Sequence, residues 1–243
     1  MDLPAGFLLD LDDTILDDSS NIDRCWRDAC AANAGELSGL DLSIVLDTIR
    51  HTSRWYWGDP DRHRDGRLEL DAARREVARL ALLELGVRNA TLAARIGDAY
   101  GHHRDAGMEP LPDAIDTVRW LKESGCALAL LTNGAGPAQR KKIARFGLAE
   151  FFDTILVEGE IGFGKPDPRV YQLALSRLSL APRDAWMAGD NLEWDVAAPQ
   201  QLGLFSIWID RQGRGLPPLS TVRPNRIVRA LSELRLTPPT LDV

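Results

Sequence analysis

The chain has 243 residues with 44% apolar and 27% charged content, an ordinary globular composition that suits one large domain or a core with an insert. A formal net charge of −7 argues against nucleic acid as a main partner, and three scattered cysteines (Cys25, Cys30, Cys126) neither build a disulfide framework nor complete a zinc site. No apolar run reaches the length of a membrane span, and GFLLDLD follows the N-terminus with no basic or cleavable segment, so a cytoplasmic protein with no membrane partner is expected.

The first expected strand is GFLLDL (6–11), apolar without clean alternation, as in strands buried on both faces. From Asp18 to Met108 the pattern is helical throughout: NIDRCWRDACAANA, DLSIVLDTIRHTSRWYW, ELDAARREVARLALLELG and ATLAARIGDAYGHHRDAG. That is too long for a crossover, so 18–108 is read as an inserted helical domain, with 1–17 and 109–243 forming the core. The core then alternates. Helix PDAIDTVRWLKESG precedes strand CALALLTN (126–133), and helix PAQRKKIARFGL precedes strand TILVEGE (154–160). Helix DPRVYQLALSRLSL precedes strands AWMAGDN (185–191) and LFSIWID (204–210). Gly125 and Gly147 mark helix ends. RIVRALSELRL reads as one more element on the sheet, and LTPPTLDV as a frayed tail. The expected fold is α/β: a doubly wound, Rossmann-like parallel sheet with an inserted α-helical domain.

Ligands of such sheets sit beyond the carboxyl ends of the strands. There DLDDT supplies Asp10, Asp12 and Thr14, LLTNG supplies Thr132, Asn133 and Gly134, and GDNLEWD supplies Gly189, Asp190 and Asp195. GFGKPDP holds Lys165 in a loop before AWMAGDN. Carboxylates, a hydroxyl, amides and an ammonium at one place suit phosphoryl transfer with Mg²⁺. The ion takes one or two carboxylates plus waters and a phosphate oxygen. A carboxylate can attack phosphorus, and a second can pass a proton. The four lysines are at 122, 141, 142 and 165; Lys122 lies in RWLKESG and the RKK pair on a polar helix face, which leaves Lys165 as the candidate for the site.

These motifs, in this order, resemble the haloacid dehalogenase (HAD) superfamily of phosphohydrolases, of the kind with a helical cap inserted after the first strand. Asp10, Asp12 and Thr14 match its first motif, Thr132 its second, Lys165 its third, and Gly189, Asp190 and Asp195 its fourth. The resemblance implies that Asp10 is the nucleophile and a Mg²⁺ ligand. Asp12 is then the general acid/base, with its carbonyl also on Mg²⁺. Thr132, Lys165 and Asn133 bind phosphate, with Gly134 as a further donor. Asp190 binds the metal, and Thr14 and Asp195 support the site from behind. The implied partner is a small phosphorylated metabolite, and the expected assembly is a monomer or homodimer.

Alone, DLDDT could be a turn or helix cap, and Asp13, Asp17 and Asp18 keep that bland reading: solvated, or capping the next helix. A 2-haloacid dehalogenase would lack Asp12. Phosphonate cleavage would need a cap lysine, and no lysine precedes Lys122. A sugar phosphomutase would keep all these motifs. A phospho-accepting switch would be shorter and lack the helical insert. In the insert, RWYWGDPDRHRDGR (54–67) reads either as core-plugging aromatics with solvated arginines or as a specificity loop, with Trp55, Trp57 and Arg64 facing substrate.

Overall fold

The computed structural model describes residues 3–37 and 39–235. The apolar runs become strands β1 (Gly6–Leu9), β2 (Leu16–Asp17), β3 (Glu109–Pro110), β4 (Ala127–Thr132), β5 (Thr154–Val157), β6 (Ala185–Gly189), β7 (Phe205–Ile209) and β8 (Arg226–Val228). Six of them form one sheet in the order β5-β4-β1-β6-β7-β8, with every neighbouring pair parallel. β2 and β3 pair antiparallel, apart from it. The chain builds outward from β1 through β4 and β5 on one side, then through β6, β7 and β8 on the other. The carboxyl end of β1 is therefore where strand order reverses, the usual place for a ligand crevice.

Register explains the two-sided burial. Leu8 lies level with Ala129 and Met187, and all three join Leu131 and Leu156 in one apolar cluster. The helix over Pro168–Leu178 adds Val170, Tyr171, Ala174 and Leu175 to that cluster. Phe7 lies level with Trp186, and Trp186 with Phe205, so the other face carries a run of ring contacts at 5.5 and 4.6 Å between centroids. Burying each such side chain is worth roughly 1.5–3 kcal/mol. That is what places β1 in the middle and its acidic end at the switch point.

The chain divides into two compact units, Met1–Asp17 with Glu109–Val243, and Asp18–Met108. The second unit holds α1 (Ile22–Ala31), α2 (Leu42–Trp57), α3 (Pro60–Leu68), α4 (Leu70–Glu84) and α5 (Ala90–Ala106). Its core is built from Trp26, Val45, Ile49, Val77, Leu92 and Ile96 with their neighbours, and Trp26 stacks on Tyr100 at 3.7 Å between ring centroids. Cys25 and Cys30 lie inside it, and Cys126 is buried in the first unit; all are free thiols. The first unit adds α6 (Ala114–Glu123), α7 (Gly136–Arg145), α8 (Glu158–Ile161), α9 (Pro168–Leu178) and α10 (Ala198–Gln201). Gly125 and Gly147 end helical segments with left-handed backbone, φ +87° and +61°. Among the described residues, no helix is long and apolar enough to cross a membrane.

Three stretches differ from the sequence reading. TILVEGE stops being a strand at Val157, because Glu158–Ile161 turns helical and buries the Glu158 carboxylate under the Gly134 N–H at 2.9 Å. Residues 54–67 form no loop. Arg54–Trp57 closes α2, then Asp59 accepts the Arg62 N–H at 2.9 Å with Pro60 in the first helical turn, and α3 begins. RIVRALSELRL splits into β8, the sixth strand of the sheet, and a single turn at Leu231–Arg235. The LTPPTLDV tail lies outside the described residues.

Candidate active site

The turn after β1 sets the site. Ile15 and Leu16 both donate their N–H to the Leu11 carbonyl at 2.9 Å, and Asp13 takes left-handed backbone at φ +59°. The chain therefore doubles back, and the buried Thr14 hydroxyl donates to Asp10 Oδ2 at 3.0 Å. Asp10, next after β1, is itself 7% exposed. Lys165, 2% exposed, reaches it from the loop between α8 and α9: its Nζ donates to Asp10 Oδ1 at 2.6 Å and to Asp195 Oδ1 at 2.7 Å.

Asn133 holds that lysine in place. Its side-chain amide donates to the Lys165 carbonyl at 2.6 Å and accepts the Lys165 N–H at 2.8 Å. The Asn133 amide therefore clamps the lysine's backbone, and the Gly134 N–H is engaged by Glu158. Of the backbone or amide donors expected near phosphate, the Asn133 side chain and the Gly134 N–H bond protein groups in this structure.

Asp190 follows β6, with its carbonyl fixed by Trp208 Nε1–H at 2.8 Å. Asn191 then caps a wide turn over Leu192–Ala197, which carries Asp195 back so that its Oδ2 accepts the Asn191 N–H at 3.0 Å. The Tyr171 hydroxyl donates to the Trp194 carbonyl and braces this turn. Gly189 is required here: a Cβ on it would stand 2.3 Å from the Asp195 carboxylate.

Oxygen atoms of Asp10, Asp190 and Asp195 lie within 4.8 Å of one another. Lys165 is the cation bonded into this group, so two negative charges stand over when the three acids are ionised. The electrostatics follow. Burial, and then the charges of Asp10 and Asp195, push Asp190 up to about 8. Burial also raises Asp10, with Lys165 opposing and Asp195 adding to the rise. Burial works against the Lys165 charge, but the two carboxylates outweigh it and hold the ammonium above its ordinary value. An all-oxygen, negatively charged cluster at the strand ends fits a hard divalent cation better than a soft one.

Asp12 stands apart from this cluster in its contacts. Its side chain is held by α7, where Gln139 Nε2 donates to Oδ2 at 2.9 Å and Lys142 Nζ donates to Oδ1 at 2.8 Å. The same Gln139 nitrogen reaches Thr132 Oγ1 at 2.7 Å and the Asn133 carbonyl at 2.6 Å. Thr132, at the end of β4, is buried beside it. Sequence reasoning missed both α7 residues, having assigned Lys142 to a polar face. The available signal was Gln139, one turn before the buried Ile143.

The other acids of the opening cluster, expected to be solvated or to cap the next helix, carry ion pairs. Arg211, just past β7, ion-pairs with Asp13 at 2.5 Å and Asp17 at 3.3 Å, and in the second unit Arg104 pairs with Asp18 at 2.8 Å. In the second unit, Trp55 is 51% exposed, with the Arg62 guanidinium 3.8 Å from its ring centroid. Trp57 packs edge-on to Tyr56 and His63, and Arg64 is exposed but paired with Asp61 and Asp65 at 3.1 and 3.2 Å.

The parallel sheet carries an aspartate-lysine-aspartate cluster at its switch point, and the haloacid dehalogenase-like hydrolase pattern matches residues 4–203. The chain belongs to that family. It is 35% identical over 231 residues to the phosphoserine phosphatase of Thermus thermophilus, covering 87% of this chain and 89% of that protein. It is 27% identical over 240 residues to the glyceraldehyde 3-phosphate phosphatase of Methanopyrus kandleri, covering 93% and 97%. Its fold matches that of the HAD-hydrolase YfnB of Bacillus subtilis, solved with magnesium, at a TM-score of 0.74 and 23% identity, over 96% of this chain and 97% of that one.

Proposed function

We propose that the chain is a Mg²⁺-dependent phosphohydrolase that cleaves a small phosphate monoester through an aspartyl phosphate on Asp10. The observation that carries this reading is the division of labour between two acids two residues apart. Asp10 sits in the cation cluster, bonded to Lys165 at 2.6 Å, whereas Asp12 is held by α7. A dehalogenase has no use for the second acid; a phosphatase needs it to protonate the leaving oxygen and then to take a proton from water.

The roles follow from the contacts. Thr14 and Lys165 hold one oxygen each of Asp10, which fixes the plane of the attacking carboxylate. Thr132 Oγ1 accepts from Gln139 at 2.7 Å and donates to the Asn133 carbonyl at 3.5 Å, a long bond that its proton can exchange for a phosphoryl oxygen. Lys165, held in position by Asn133, offers positive charge where the transferring group accumulates negative charge. Asp10 and Asp190 would hold Mg²⁺, together with the Asp12 carbonyl and with Asp195 behind them. The bound ion would neutralise phosphoryl charge. Attack by Asp10 expels the alcohol, which Asp12 protonates. Asp12 then deprotonates the water that releases phosphate from Asp10.

The test is a panel of phosphorylated metabolites assayed with Mg²⁺ and with excess chelator. Activity is expected to require the ion. Asp190→Asn is expected to lower kcat/KM at saturating Mg²⁺ by at least about 10²-fold, since a metal's charge stabilisation is worth several kcal/mol. Undiminished turnover in EDTA would remove the magnesium reading.

A further inference from the structure

We infer that Gln139 and Lys142 are positioning residues for Asp12: α7 fixes both carboxylate oxygens of the acid/base so that it points at the bond being made or broken. The inference rests on the phosphohydrolase reading above and adds two residues outside the family motifs identified in this sequence.

The geometry is specific. Gln139 and Lys142 lie three residues apart, so they project from one face of α7. One takes Asp12 Oδ2 at 2.9 Å and the other Oδ1 at 2.8 Å. A carboxylate bonded at both oxygens by two different side chains has lost its freedom to rotate. Lys142 and Asp12 have side chains 16% and 27% exposed, so the pair is partly shielded from solvent screening.

Gln139 shows where the demand lies. The residue is 4% exposed and its Nε2 faces three acceptors: Asp12 Oδ2, Thr132 Oγ1 and the Asn133 carbonyl. Its own Oε1 is buried with no hydrogen-bond partner. Turning the amide over would set an oxygen against the Asp12 carboxylate and the Asn133 carbonyl. So the amide leaves its oxygen unsatisfied, at a cost in free energy, to keep its nitrogen on those acceptors. A glutamine recruited merely to fill space would not be placed this way. The same nitrogen ties the proton-transferring acid to the phosphate-facing hydroxyl, so the two keep a fixed spacing.

The experiment compares two esters in Lys142→Met, Lys142→Arg and Gln139→Met by rapid quench. Glycerol 2-phosphate has a leaving group that needs a proton; p-nitrophenyl phosphate does not. Lys142 touches Asp12 and is less deeply buried than Gln139, so it carries the cleaner test; Gln139→Met also disturbs Thr132. Lys142→Met is expected to lower kcat on glycerol 2-phosphate by about 10²-fold with KM unchanged, the scale of a misplaced catalytic group. Its first turnover on p-nitrophenyl phosphate is expected to fall by less than about tenfold, while its phosphoenzyme persists longer than that of wild type. Lys142→Arg is expected to recover most of the loss, and Gln139→Met to show the same partition with a raised KM. Equal losses in the first turnover of both esters, or an unchanged phosphoenzyme lifetime, would overturn the inference while leaving Asp10 chemistry standing. No phosphoenzyme in any form of the protein, wild type included, would overturn both readings together.

Discussion

Asp10→Asn is expected to be inactive and fully folded. The amide keeps the shape of the side chain but cannot attack phosphorus. Where catalytic groups act as a unit, removing the nucleophile alone costs on the order of 10⁶-fold in kcat. The fold does not share that loss. Asp10, Asp190 and Asp195 bring oxygens within 4.8 Å of one another against the single ammonium of Lys165. Neutralising Asp10 relieves like-charge repulsion in the cluster. The metal-free variant is therefore expected to melt no lower than wild type: the amide oxygen can take Lys165 Nζ–H where Oδ1 stood, and the amide NH2 can donate to the Thr14 hydroxyl where Oδ2 stood. Calorimetry and a phosphatase assay on one preparation separate the two effects. A loss of activity that tracked a loss of Tm would make Asp10 a structural residue.

Lys165→Met should fail in the opposite sense, losing both activity and stability. Lys165 is 2% exposed and bonds two buried carboxylates, at 2.6 and 2.7 Å. Removing the cation leaves the acids buried, close together and uncompensated. Breaking a buried pair from one side typically costs about 3–5 kcal/mol. For a chain of this size that is a fall in Tm of roughly 6–20 °C. Magnesium is expected to return part of the stability, because it can balance the same carboxylates, but not the turnover, because no ammonium remains for the phosphoryl group. Thermal melts with and without Mg²⁺ check this. A Tm unchanged in metal-free buffer would mean the cluster is not the charged group described here.

The sheet was legible because its central strands are buried on both faces. GFLL, ALALLT and AWMAG read as short continuous apolar runs, and each ends in or runs directly into a residue of the candidate site: Asp10, Thr132 or Asp190. Lys165 was legible by elimination among four lysines. What sequence could not show is which polar helix face meets an acid. Gln139 and Lys142 lie 127 and 130 positions from Asp12, and a face that grips a carboxylate has the same composition as one that faces water. Arg211, which holds Asp13 and Asp17 from almost 200 residues away, was invisible for the same reason. Helix α3, PDRHRDGRL, has no apolar stripe to announce it; the Asp59 cap and Pro60 start it. β8 is three residues long, too short to carry a pattern.

The central claim is that Asp10 carries the phosphoryl group and that Asp12 releases it. Rapid mixing of Asp12→Asn with p-nitrophenyl phosphate, followed by mass spectrometry of the quenched protein, tests it most directly. Nitrophenolate leaves without a proton, so the first step should survive in part, whereas hydrolysis of the intermediate needs a base that asparagine cannot be; that base is worth about 10²–10⁴-fold. The account predicts a burst of about one nitrophenolate per active site, slow turnover after it, and a phosphoryl group on the peptide carrying Asp10. Turnover at the wild-type rate, or a phosphoryl group on any other residue, would contradict it.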